Sequence, residues 1–201
     1  MERQEAIEKL RQLIGQELHE LARKYGISIY NEKGRVNKGW AGHVLERYLE
    51  LPLNSAQAPN FGSWELKSIP LKFKKDGTLT FKETMAITMI DPVNVLQKEF
   101  EASHLLAKLR KIVVVARTVG KDVDEPSYIH SVEEFDLKGE VYNLVKADYD
   151  LVRNTIKKYG FEALSGKMGY YIQPRTKGAG HGSKTRAFYA RPRFLRLFIK
   201  I

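Results

Sequence analysis

The chain has 201 residues, no cysteine, 34 Lys and Arg against 24 Asp and Glu, a formal charge of +10 and a pI near 9.6. That length allows one sizeable core, and the 43% hydrophobic fraction suits a folded protein. Disulfides and thiolate zinc sites are excluded, and a polyanionic partner is favoured, because Lys and Arg displace the counterions condensed on phosphates.

In chain order, Ile7, Leu10, Ile14, Leu18 and Leu21 fall at helical spacing and predict a helix over 2–25, stopped by Gly26. This charged, helical start is unlike the apolar core of a signal peptide, and no apolar run approaches the roughly 20 residues needed to span a bilayer. The expectation is a soluble, cytoplasmic protein, and abundant Lys and Glu without Cys hint at a thermophilic source. The polar loop "NEKGRVNKGWAG" leads to a second helix over about 40–50, with Val44, Leu45, Tyr48 and Leu49 facing the core. Strands are predicted at 63–71, 83–90 and 111–117, the last being the continuous apolar "KIVVVAR" of a buried strand. Between the last two, "VLQKEFEASHLLAKLRK" reads as one short helix. A long helix is expected over 140–164, followed by strands at "MGYYIQPRT" and "RAFYARPRF" around the loop "KGAGHGSKT". Strands between flanking helices predict an α/β or α+β fold with a mixed central sheet. The chain reads as a single domain over 1–201, with two possible lobes at about 1–130 and 131–201.

Chemistry concentrates in "PNFGSWELKSIP", residues 59–70. Glu65 and Lys67 stand two apart on a strand and so share one face. That pair suits phosphodiester hydrolysis: the carboxylate helps hold Mg²⁺, and the lysine orients or deprotonates the nucleophile. The backbone carbonyl of Leu66 offers another metal ligand. Taken alone, Glu-x-Lys is as common in ordinary surface ion pairs. A second feature is "PRTKGAGHGSKTR", where Arg175, Lys177, Lys184 and Arg186 are interleaved with Gly, as in a basic turn that enters a nucleic-acid groove or in a solvent-exposed hairpin tip. His104 and His181 lack ligand-spaced partners and are not read as zinc ligands. The glycines from 178 to 182 lack the strand-to-helix context of a phosphate loop.

Four blocks, in order, resemble the MutH-like family of DNA endonucleases, which includes the mismatch-repair nickase and related type II restriction enzymes of the PD-(D/E)xK superfamily. They are "KGWAGHVLERYL" (38–49), "PNFGSWELKSIP" (59–70), "ASHLLAKLRKIVVVA" (102–116), and "GYYIQPRTKG" with "RAFYARP". The resemblance implies a restriction-endonuclease-like mixed sheet with a DNA-contacting C-terminal part. It further implies Mg²⁺, with Mn²⁺ able to substitute, and double-stranded DNA as partner. Glu65 would be a metal ligand, Lys67 the catalytic lysine and Glu46 the helix glutamate of the same site. Lys38 and Lys108 match basic positions near the DNA backbone, and Tyr189 an aromatic close to the recognised bases.

Asn60 stands in the slot of the family's first metal-binding aspartate, and no Asp or Glu lies between Leu51 and Trp64 to replace it. An amide can ligate through oxygen but brings no charge to a hard cation. The favoured account is an Asp→Asn form that binds DNA with impaired cleavage; the others are a natural site leaning on Glu46, Glu65 and phosphate oxygens, or a DNA binder that no longer cuts. The leading expectation is a sequence-specific, Mg²⁺-dependent restriction-type endonuclease. A mismatch-repair nickase, a non-catalytic DNA-binding module and a basic RNA-binding protein are the alternatives. Monomer and homodimer are both open, and protein partners are expected only for a nickase.

Overall fold

The computed structural model describes residues 1–50, 62–178 and 184–201. A four-stranded mixed sheet has the order β2-β1-β4-β5, with β1 Glu65–Phe73, β2 Leu79–Phe81, β4 Lys111–Thr118 and β5 Ile129–Asp136. β1 runs parallel to β4, while β2 and β5 are antiparallel to their neighbours. A second, three-stranded sheet joins β3 Met85–Met89 to the C-terminal hairpin of β6 Ile172–Thr176 and β7 Arg186–Ala190. The architecture is therefore mixed α+β, and the two sheets interleave along the chain: β3 joins the C-terminal hairpin, whereas β5 closes the first sheet.

β4 is apolar from Ile112 to Ala116 because both of its faces are covered there. Val113 and Val115 pack with α1 Arg3–Arg11, α2 Leu18–Lys24 and α3 Trp40–Tyr48. Ile112, Val114 and Ala116 face the other core, which holds Ile69 and Leu71 of β1 and side chains of α5 His104–Leu109 and α6 Gly139–Tyr159. On β1, Leu66 points to the first core, so Glu65 and Lys67 point with Ile69 toward the second. Pro70 is tolerated in this strand because its carbonyl faces the β2 side, accepting from Lys82 N, and its missing N–H lies on that side just before pairing with β2 begins at Leu71.

The expected helix over 2–25 is two helices. Gly15, at φ 83°, turns the chain so that its N–H reaches the carbonyl of Ile129, and Ile14 is left exposed. Glu17 then caps α2, accepting from the N–H groups of His19 and Glu20. The expected helix over 95–111 is likewise split. Asp91 caps α4 Pro92–Gln97, and Ser103 caps α5 through its Oγ. The long helix α6 ends at Tyr159, where Gly160 adopts φ 85°. The last short helix is α7 Pro192–Leu195.

One carboxylate ties α6 to the hairpin. Asp148 is buried and accepts from the backbone N–H groups of Tyr170, Tyr171 and Ile172 at 2.6, 2.7 and 2.7 Å, fixing the approach to β6. Gly169 sits beside it at φ 77°, and a Cβ there would lie 1.8 Å from the carbonyl oxygen of Ile172. No described helix is long and apolar enough to cross a membrane.

Candidate active site

Glu65 opens β1 with no solvent exposure. A buried carboxylate is costly unless paired, and this one is paired twice. Its Oε1 accepts from Lys67 Nζ at 2.6 Å and from Lys108 Nζ at 3.0 Å. Lys67 comes from the same strand face, and Lys108 from α5, which the Ser103 cap starts above that face. The Lys67 side chain keeps 20% of its exposure and that of Lys108 only 8%.

Lys108, expected near the DNA backbone, is instead buried against Glu65, whose charge it pairs. Burial pushes the Lys67 ammonium below the ordinary lysine range against the pull of Glu65, and the charges of Lys108 and Lys177 push it the same way as burial. Glu46, half-buried on α3, belongs to the same electrostatic cluster. Burial and the Glu65 charge raise its carboxyl above the usual range, and Lys67 and Lys108 oppose the rise.

Asn60 lies outside the described residues. Among the described residues no group of three acidic, His or Cys side chains gathers as a metal cluster. Two carboxylates, Glu65 and Glu46, act on the same pair of lysines, and the Leu66 carbonyl lies in the adjacent backbone. Such hard oxygen donors fit Mg²⁺, which is commonly held by one or two carboxylates together with substrate phosphates.

The C-terminal hairpin separates its basic residues by face. The antiparallel register pairs Gln173 with Tyr189 and Arg175 with Ala187, so Arg175, Lys177 and Tyr189 share one face. Lys177 is the residue whose charge reaches Lys67. Arg175 donates to Thr84 Oγ1 at 3.0 Å and stands 5.7 Å over the Tyr189 ring. Burial raises the Tyr189 hydroxyl above its usual range. Arg186 instead pairs with Thr176 and shares the core-facing side with Phe188. Its guanidinium meets Glu162 at 3.6 Å and lies over Phe161, so it braces the hairpin. Lys184 and Lys38 are exposed.

A protein-family model described as the DNA mismatch repair enzyme MutH matches residues 49–148. A DNA mismatch repair protein MutH from Vibrio campbellii is 26% identical over 198 residues, covering 92% of this chain and 80% of its own length. The chain is similar to MutH proteins over these spans. The family match takes in Glu65, Lys67 and Lys108 but stops short of Glu46 and the hairpin. A type II restriction enzyme, Sau3AI of Staphylococcus aureus, is 25% identical over 157 residues, 76% of this chain but 32% of the enzyme. A solved complex of the restriction endonuclease MvaI with its cognate DNA aligns over 86% of this chain and 91% of that one, at 14% identity and a TM-score of 0.36, too distant to carry an argument.

Sequence reasoning missed two features of this region. The resemblance set Lys108 near the DNA backbone; only the packing of α5 on β1 turns it onto Glu65. It also passed over Arg117, at the far end of β4, where the guanidinium stands 5.2 Å over the Trp40 ring.

Proposed function

We propose that the chain is a sequence-specific, Mg²⁺-dependent endonuclease that hydrolyses phosphodiester bonds in double-stranded DNA, acting in the cytoplasm as a single domain. The observation that carries this reading is the Glu65 carboxylate, buried and held by Lys67 and Lys108, with Lys177 of the basic hairpin electrostatically linked to the same lysine. Both the mismatch-repair proteins and the restriction enzyme to which the chain is similar support it.

Each residue has a definable task. Lys108 holds the Glu65 carboxylate ionised and fixed, which preorganises it. Lys67, with a depressed pKa, gives up a proton more readily than an ordinary lysine and can orient or deprotonate the attacking water. Arg175, Lys177, Lys184, Tyr189 and Lys38 would contact DNA, while Arg186 keeps the hairpin in place. Bound Mg²⁺, or Mn²⁺ in its stead, would be held by Glu65, Glu46, the Leu66 carbonyl and residue 60, and would polarise the phosphate and acidify its water. With Asn60 in place of an aspartate the site lacks one negative charge, and this form binds DNA with impaired cleavage.

A mismatch-repair nickase is an equally supported second reading, because the MutH relatives align with nearly the whole chain, whereas the restriction enzyme is matched over a third of its length. Incubating the Asn60→Asp variant with unmethylated plasmid and Mg²⁺ separates the two. Linear product without partner proteins supports restriction, whereas nicked circles alone support the nickase. Intact supercoiled plasmid overturns both.

A further inference from the structure

At the far end of β1 and β4 from Glu65 lies a cavity of about 350 Å³, whose wall carries four cations, Lys38, Lys82, Arg117 and Lys121, and three acids, Glu83, Asp122 and Glu125. Five residues of strand at ~3.3 Å each separate Glu65 from the level of Arg117, about 17 Å. None of the three lysines makes an ion pair or a side-chain hydrogen bond among the described residues. Arg117 donates through Nη1 to Ser127 Oγ at 2.9 Å, its face rests against Trp40, and its buried Nε has no partner. Burial brings this guanidinium down to about 10, and the charge of Glu83 only partly offsets that effect. Of the three wall acids, Glu125 is occupied, accepting from the backbone N–H groups of Lys121 and Asp122, so the four cations outnumber Glu83 and Asp122.

A guanidinium fixed by Ser127 and Trp40, with three exposed ammonium groups on the same wall, is suited to an anion with several oxygens. We propose that this cavity is a phosphate-binding site, separate from the catalytic carboxylate, with Arg117 as its fixed fork and Lys38, Lys82 and Lys121 as adjustable charges. Two sources offer that group. One is the backbone of bound DNA, where 17 Å corresponds to about five base-pair steps from the scissile phosphate; the other is a free mononucleotide. Only the first rests on the endonuclease reading.

The test is an NMR titration of the ¹⁵N-labelled full chain with sodium phosphate, free of divalent metal and at constant ionic strength. It follows the Arg117 Nε–H and the Trp40 indole N–H. Both signals should move saturably with a Kd of about 1 mM or lower. The exposed-lysine variants K82Q and K121Q, with wild-type spectral dispersion elsewhere, should together raise that Kd roughly fivefold or more. Titrations with dAMP and with a nonspecific duplex then separate the sources. A duplex that moves both signals and is displaced by phosphate assigns the site to backbone; dAMP binding at least about tenfold tighter than phosphate assigns it to a free nucleotide. No saturation by about 20 mM phosphate, equal shifts from chloride, or a Kd unmoved in K82Q/K121Q overturns the proposal. Because nothing here reads cleavage, failure would leave the endonuclease reading standing, and an inactive nuclease would leave this site standing.

Discussion

At the beginning of β1 two lysines share one buried carboxylate, whereas at the far end of the same strand pair four cations and three acids line a cavity and none of the four cations holds an ion pair among the described residues. Both ends mix cations with carboxylates, but only at the first are they joined. The Glu65 end can therefore exist without ligand at modest electrostatic cost, keeping a lysine of lowered pKa ready for proton transfer. At the Arg117 end burial disfavours the guanidinium charge and Glu83 offsets that only in part. Net charge alone would have described the two alike; the placement of one doubly paired carboxylate is what separates them.

Breaking the first end should have the largest effect. Glu65→Gln removes the carboxylate on which both lysines depend. In the Asn60→Asp background, single-turnover cleavage should fall by about 1,000-fold or more. Denaturation should show a loss of ~3 kcal/mol, because Lys108 is left buried and uncompensated. Lys67→Met should lower the cleavage rate by about 100- to 10,000-fold while leaving the DNA Kd within a few-fold. The proton bookkeeping predicts the pH profile of the Asn60→Asp form. The lysine acts when neutral, and its pKa lies below the ordinary lysine range, so the rate should rise with pH and level off below the pH at which a free lysine titrates. A limb at the ordinary lysine pKa would contradict that assignment.

The comparison sharpens further at elements that hold the two ends without touching substrate. Asp148→Ala strands three backbone N–H groups at the entrance to β6. It should cost ~4 kcal/mol in urea denaturation and weaken DNA binding by loosening the hairpin that carries Arg175 and Lys177. The smallest effect is at Glu17, beside the Arg117 cavity. Burial pushes its carboxyl upward, but bonds from the backbone N–H groups of Ser127, His19 and Glu20 and from the His19 ring bring it down to about 2. A depressed carboxyl pKa stabilises the fold above the unfolded value near 4.5, and that contribution fades as pH falls through about 2. Glu17→Gln should remove up to about 3 kcal/mol at neutral pH and flatten stability between pH 4.5 and 2, measured by thermal melts across that range.

The sequence made β1 and β4 legible because their signals are local: alternation around Glu65 and Lys67, and an unbroken apolar run from Ile112 to Ala116. β5 was missed because "IHSVEEFD" carries three acids and a histidine along the sheet edge, where charge discourages further pairing and hides the strand pattern. The break after α1 was missed because Ile14 keeps the helical period although it points to solvent; the backbone turns at Gly15 to meet Ile129, a contact more than a hundred residues away. The Glu65–Lys67 pair follows from strand geometry, but the inward turn of Lys108 and the division of Arg186 from Arg175 and Lys177 depend on tertiary packing and on the register of β6 with β7.

The most direct test of the account is the plasmid cleavage rate of the Asn60→Asp variant against the unmodified chain, with Mg²⁺ present and DNA affinity measured separately without metal. The account predicts cleavage faster by ~100-fold at unchanged affinity, the added carboxylate acting through the metal site alone. Equal rates, or no cleavage by either form, would contradict it.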